Sequence, residues 1–187
     1  LKSLDAIVFL TNKEAENYSE LFSNKISVLP NTILEKSHQF NPVHSPIVFG
    51  AMGRLHQVKG YDILLHSLSI LKNKGYQFKF VLGGEGIEKE ALLQQIKDLA
   101  LDDIVEYIGW VADKEGFFNK IDVFCMSSRM ESFGLTILEA FAFSKAIVAV
   151  DLEGPRAILS EIPSSIIVKA ESAEAFAEGM EHLLNNP

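Results

Sequence analysis

Cysteine is nearly absent from this chain: Cys125 is the only one among 187 residues, so no disulfide can form within it. A single cysteine agrees with a reducing compartment, and its place in the apolar run Asp122-Val-Phe-Cys-Met126 marks it as a core residue rather than a nucleophile. No uninterrupted apolar stretch reaches the ~18 residues of a membrane span, and none has the order of a signal peptide. Basic residues are outnumbered, 17 Lys and Arg against 25 Asp and Glu, and the net charge of −8 argues against a general nucleic-acid binder. The five histidines are scattered without metal-ligand spacing, so no protein-bound metal is expected.

What is abundant is hydrophobic: 48% of residues, with a mean hydropathy of +0.15, suit a parallel sheet buried on both faces. Short apolar, β-branched runs alternate with amphipathic ones. Strands are expected at Asp5–Leu10, Ile26–Leu29, Ile47–Met52, Phe78–Leu82, Ile104–Ile108, Asp122–Met126, Ala146–Val150 and Ser165–Val168. Between them one helix carries Leu64, Leu68 and Leu71 and stops at Gly75; a second carries Leu92, Ile96 and Leu99. The last follows the N-cap Ser172 and carries Phe176, Ala177, Met180 and Leu184. The fold class is α/β, a doubly wound, Rossmann-like parallel sheet.

Phe40-Asn-Pro-Val-His-Ser-Pro46, with two prolines and no periodicity, is the expected boundary. Six strands follow it and two precede it, too few to stand alone. Residues 1–45 are therefore read as the tail of a preceding domain plus a connector, and residues 46–187 as a ligand-binding domain. The start at Leu1 suggests a fragment.

The richest segment is Glu131-Ser-Phe-Gly-Leu-Thr-Ile-Leu-Glu139-Ala-Phe-Ala-Phe143. Glu139 is the only ionisable side chain from Phe133 to Phe143. A helix apolar on nearly every side is expected to be buried, and an unpaired carboxylate there is costly. On one helix the two glutamates would be rotated by roughly 80°. If the helix instead starts near Gly134, Glu131 lies in the preceding loop, Glu139 lies one turn inside, and free backbone N–H groups lie between them, suited to a phosphate. Two readings stand: a ligand hydroxyl meets Glu139, or Glu131 caps the helix and Glu139 pairs with a buried Arg or Lys.

Ligands of open α/β sheets sit beyond the carboxyl ends of the strands. There the chain places Gly53-Arg54-Leu-His-Gln-Val-Lys59-Gly60, two cations around a loop that suit a diphosphate or are simply solvated. Gly83-Gly84-Glu85-Gly86 lacks the full dinucleotide fingerprint and fits either a close ligand approach or a plain turn. In Gly109-Trp110-Val111 the only tryptophan either shapes a base or sugar pocket or packs at an edge. Asp151-Leu-Glu-Gly-Pro-Arg156 offers Arg156 as an anion contact or as a partner for Glu131 or Glu139.

In this order these elements resemble the donor-binding C-terminal half of a retaining GT-B glycosyltransferase of the family four group, the glycosyl transferases group 1 domain. The resemblance spans about residues 26–187 and rests on Gly53-Arg54…Lys59-Gly60, Gly83-Gly84-Glu85-Gly86, Tyr107-Ile108-Gly109-Trp110-Val111, Ser127-Ser128 and the E-x7-E run. It implies transfer of a hexose from a nucleotide-sugar, a UDP-sugar in preference to a GDP-sugar, to a glycan or lipid-linked acceptor hydroxyl. The setting it implies is polysaccharide or lipopolysaccharide biosynthesis in the cytoplasm, with no cofactor or metal required. Arg54 and Lys59 would hold the diphosphate and, with Glu131 on the donor sugar, carry the catalytic roles. Backbone groups of Gly134, Leu135 and Thr136 would cradle a phosphate. Glu139 would accept from the ribose, and Gly53, Gly83, Gly84, Gly109, Trp110 and Val111 would line the donor site.

The acceptor, and any peripheral contact with the inner face of a membrane, would belong to the nearly absent N-terminal half, so this chain alone is expected to bind nucleotide and transfer no sugar. Three places depart from the family pattern: Asn31-Thr32 where Asn-Gly is usual, Phe141-Ala-Phe-Ser-Lys-Ala146 after the second glutamate, and Glu153-Gly-Pro-Arg156 where two glycines and an acid are common. The alternatives are a degenerate, non-catalytic nucleotide-binding or assembly module, or a sugar-nucleotide epimerase of the same fold.

Overall fold

Apolar side chains on both faces of every central strand force a three-layer arrangement, and the computed structural model has it. It describes residues 5–22, 24–32, 43–160, 162 and 165–186. The main unit is a six-stranded, all-parallel sheet of β3 (Val48–Met52), β4 (Lys79–Gly83), β5 (Val105–Gly109), β6 (Val123–Met126), β7 (Ala146–Val150) and β8 (Ser165–Val168), in the order β5-β4-β3-β6-β7-β8. The chain builds outward from β3 to one edge, returns to the middle at β6, and builds outward to the other. Between β3 and β6 the connections diverge to opposite sides, which opens a crevice at the carboxyl ends of these two strands.

Alternation along the strands feeds two cores. Phe49, Ala51, Val123, Cys125, Val148 and Val150 face α3 (Tyr61–Asn73), α4 (Lys89–Asp98) and α8 (Ala173–Asn185). Met52, Phe124, Met126, Ile147 and Ala149 face α5 (Lys114–Asn119), α6 (Leu135–Ala142) and α7 (Glu153–Leu159), where Phe118 stacks on Phe143. Burial pushes the Cys125 thiol well above its ordinary range, as a core role requires. Ser172 caps α8 by accepting from the Ala175 amide, and α3 gives way at Gly75, as expected.

The two early strands, β1 (Ile7–Phe9) and β2 (Ile26–Val28), pair in parallel as a separate ribbon around α1 (Asn12–Asn17) and α2 (Ser19–Phe22). This piece touches the main unit through the buried Thr11, whose hydroxyl donates to Glu153 at the start of α7. Of the expected connector, residues 40–42 lie outside the described ones, and its last residues are held by Asp122. That nearly buried carboxylate accepts from the His44 amide (3.0 Å), meets His44 Nδ1 (2.8 Å) and accepts from the Val48 amide (2.8 Å). Asp122→Ala strips the Val48 amide of its partner at the start of β3; a loss of about 1–3 kcal/mol in urea unfolding is expected.

One expectation fails. Helix α6 is not buried all round: Ile137 and Ala140 face the core, whereas Leu135 and Phe141 are 47% and 51% exposed. Leu135 and Glu139 share its outer face, one turn apart. The glutamate therefore stands at a boundary, not in the interior. No helix among the described residues is long and apolar enough to cross a membrane.

Candidate functional site

Three loops at the carboxyl ends of β3, β4 and β5 are laced together by their backbones. The Gly53 amide donates to Gly83 O (3.1 Å), Gly84 N to Gly109 O (2.6 Å) and Leu55 N to Glu85 O (2.9 Å). A side chain on Gly84, which has φ +141°, would run into the Gly53 carbonyl oxygen. The glycines of the second loop therefore permit close approach of protein loops to one another, which is neither of the two readings offered for them. The Tyr107 hydroxyl locks the loop by sharing its one proton between Gly84 O and Glu85 Oε1 (both 2.9 Å), and its bond to Glu85 with the one from Lys89 holds the Glu85 carboxyl below the usual range. Val111 sits over Gly83. Trp110 is 75% exposed, which rules out the edge-packing reading for the indole.

Across the crevice the loop after β6 is fastened to the loop after β3. The Arg129 amide donates to Val58 O (2.7 Å), its guanidinium grips Asp62 in bidentate fashion (2.8 and 2.6 Å) and reaches Gln57 O, and Ser127 Oγ donates to Lys59 O. Hydrogen bonding to Arg129 holds the Asp62 carboxyl below its ordinary value. The sequence reading gave Arg129 no role, because its partner is 67 residues away. The short 3-10 turn Gln57–Lys59 and Gly60 then bring Lys59 to the crevice, where its ammonium lies 2.7 Å from Glu131 Oε2. Arg54, by contrast, is exposed and makes no hydrogen bond or ion pair with the described residues. Arg54, without a partner among the described residues, and Lys59, shared with a carboxylate, thus stand at the switch point of the sheet.

Helix α6 begins at Leu135 with Gly134 as N-cap and no side-chain cap, so the amides of its first turn are uncovered by any capping side chain. Thr136 faces the Lys59, Tyr61, Ser127 and Ser128 side. Glu139 lies one turn further on, as the spacing predicts. Its Oε1 accepts from Lys114 Nζ at 2.6 Å, while Oε2 is buried with no hydrogen-bond partner. Each half of the second reading, a capping Glu131 and a Glu139 paired with a buried Arg or Lys, is corrected: the cation on Glu139 is the half-exposed Lys114 rather than a buried residue, and Glu131 pairs with Lys59 instead of capping the helix. Arg156 meets neither glutamate; it pairs with Asp151 at 2.7 Å, five residues earlier. Gly154 packs where a Cβ would lie 2.6 Å from Phe133 Cα, so α7 buttresses the loop between Glu131 and α6.

A cavity of about 720 Å³ opens at the opposite end of the sheet beside His44, Lys79 and Asp103. Its polar side chains are already spent on local partners, Lys79 donating to Asp103 O at 2.6 Å and His44 meeting Asp122 at 2.8 Å, so chemistry rather than size selects the crevice. Among the described residues no three His, Cys, Asp or Glu side chains are grouped as metal ligands.

Residues 33–187 match the model of the glycosyl transferases group 1 family. The chain belongs to that family. A glycosyltransferase of Haemophilus influenzae is 29% identical over 98% of this chain and 52% of its own length. LpsE of Rhizobium meliloti, a lipopolysaccharide core biosynthesis glycosyltransferase, is 29% identical over 98% and 55%. The chain spans about half the length of these curated relatives. In fold it matches Staphylococcus aureus TarM, solved in complex with UDP, α-GlcNAc-glycerol and fondaparinux, with a TM-score of 0.90 at 20% identity over 99% of this chain and 38% of TarM. The doubly wound sheet is thus the C-terminal half of a GT-B architecture.

Proposed function

We propose that this chain carries the donor site of a glycosyltransferase that moves a hexose from a nucleoside-diphosphate sugar, with retention at the anomeric carbon, to a hydroxyl of a glycan or lipid-linked acceptor. The observation that supports it most is the state of Glu139: a carboxylate oxygen buried without a donor, one helical turn from uncapped amides at the crevice that Lys59 also lines. An unsatisfied buried acceptor costs about 1–3 kcal/mol, and a ribose hydroxyl would relieve it.

In this reading Arg54 and Lys59 bind the diphosphate, and they matter most as negative charge builds on the departing nucleoside diphosphate, because their position is set before the bond breaks. The amides of Gly134, Leu135 and Thr136 receive a phosphate oxygen. Glu131, held beside Lys59, accepts from donor-sugar hydroxyls and positions the anomeric carbon. Trp110 and Val111 border the base, Gly53 and Gly109 give the ligand close access to backbone, and Gly83 and Gly84 let the loops around it pack closely. With Arg and Lys neutralising the phosphates, no metal or other cofactor is called for.

The division at residue 45 makes the ribbon of β1 and β2 part of an acceptor-binding domain, and UDP, the nucleotide in the TarM complex, is the first donor base to test. The kinship with LpsE favours lipopolysaccharide or related surface glycans as the product class. A cytoplasmic location agrees with the single buried thiol, and membrane contact is assigned to the acceptor half.

The test is calorimetric titration with UDP, GDP and ADP. One diphosphate should bind, and Glu139→Ala should weaken it roughly tenfold through loss of a charged acceptor. A folded chain that binds none of them would sink the donor-site reading. Equal affinity for UDP and UDP-sugars would instead favour a nucleotide-binding module without transfer.

A further inference from the structure

Lys114 belongs to no motif, yet among the described residues it supplies the one side-chain hydrogen bond that the Glu139 carboxylate has. It opens α5 behind the Asp113 cap and directly follows the Gly109–Val111 loop, so the segment that borders the base in the reading above runs straight into the side chain that meets the ribose carboxylate. Its contact is one-sided: Nζ lies 2.6 Å from Oε1, and Oε2 has nothing. A carboxylate on a flexible two-carbon stem would otherwise turn its bare oxygen to solvent, since the Glu139 side chain is 21% exposed. Lys114 is itself 54% exposed, so the ion pair adds little stability; its effect is to hold one orientation.

We infer that Lys114 is a positioning residue for the ribose, fixing the Glu139 carboxylate through Oε1 so that Oε2 is kept for a ribose hydroxyl. The inference rests on the donor-site reading and goes beyond it by making recognition of the ribose diol depend on a lysine outside the E-x7-E run. A second consequence separates this role from plain attraction. An ammonium that merely draws in a diphosphate strengthens ribo- and deoxyribonucleotides alike, whereas one that orients the acceptor changes their ratio.

The experiment measures affinity of the 187-residue chain for whichever of UDP, GDP and ADP binds tightest, and for its 2′-deoxy and 3′-deoxy forms, in wild type, Lys114→Met and Lys114→Arg. Wild type should prefer the ribonucleotide to at least one deoxy form by roughly tenfold, the worth of a hydrogen bond to a charged acceptor. Lys114→Met should bring that ratio to within about twofold at an unchanged melting temperature, and Lys114→Arg should restore most of it. A ratio unmoved by Lys114→Met, or a wild-type ratio near one, overturns the role of Lys114 while nucleotide binding leaves the donor site standing. A wild-type chain that binds no nucleotide overturns both.

Discussion

Gly60→Ala should lower the melting temperature by roughly 10 °C, far more than its size suggests. Gly60 links the turn ending at Lys59 to α3, for which it is the N-cap, and its φ of +64° is left-handed. An L side chain there costs about 1–2 kcal/mol in backbone terms alone. The larger cost is steric, because a Cβ would overlap the Ser127 carbonyl oxygen, a backbone atom that cannot swing aside. Together these place the loss at about 3–5 kcal/mol, the upper range for a single substitution. Gly75 is the internal control: it has φ +88° and nothing within 4 Å of its Cβ position. Gly75→Ala should show only the backbone cost, about 1 kcal/mol or a little more. Differential scanning calorimetry of the two variants decides it, and equal shifts would mean that contact between the Lys59 and Ser127 loops is not what Gly60 provides. The same overlap pushes Lys59 away from Glu131, so Gly60→Ala should also weaken nucleotide binding at temperatures where the protein is folded.

That contact shows where reading from sequence stops. Each of the eight expected strands is found; β3, β4, β6 and β7 are buried on both faces and leave a continuous apolar run that no neighbour disguises. Helices α3 and α8, thirteen residues each, show their stripes and stops plainly. Helices α5 and α7, of six and seven residues, are too short for a 3.6-residue period to stand out. The placement of Glu131 before α6 and Glu139 within it was legible from spacing and from Gly134. Their partners were not. Lys59 is 72 residues from Glu131 and Lys114 is 25 from Glu139, and a single sequence contains nothing that ties such pairs. The pairing offered between Arg156 and Glu131 or Glu139 fails for the converse reason: Asp151, in its own loop, takes the guanidinium. Exposure of Trp110 and of the outer face of α6 was hidden too, since apolar composition says what can be buried and not what the neighbouring elements leave uncovered.

Lys59→Ala should weaken nucleoside-diphosphate binding about 100-fold, or roughly 2–3 kcal/mol, more than any change at Glu139. Two effects add. The variant loses a charge-assisted hydrogen bond to phosphate, and it bares Glu131, whose side chain is 16% exposed and, among the described residues, paired with Lys59 alone at 2.7 Å. An unpaired carboxylate beside a diphosphate repels it, and the half-buried setting screens that repulsion poorly. The two contributions separate in a cycle with Glu131→Gln. If both operate, Lys59→Ala with Glu131→Gln binds severalfold better than Lys59→Ala alone, because the amide keeps the shape of Glu131 without its charge. Glu131→Gln alone should hold UDP at least as well as wild type, since it frees the Lys59 ammonium, yet it should lose the added affinity of an intact UDP-sugar. Arg54 supplies the contrast. It is exposed and has no carboxylate partner among the described residues, so Arg54→Ala should show the loss of one cation and no recovery from Glu131→Gln. Titration of these variants at two salt concentrations tests the scheme. Retention of wild-type affinity by Lys59→Ala would remove the diphosphate from this crevice, and with it the reason for two cations to meet where β3 and β6 part.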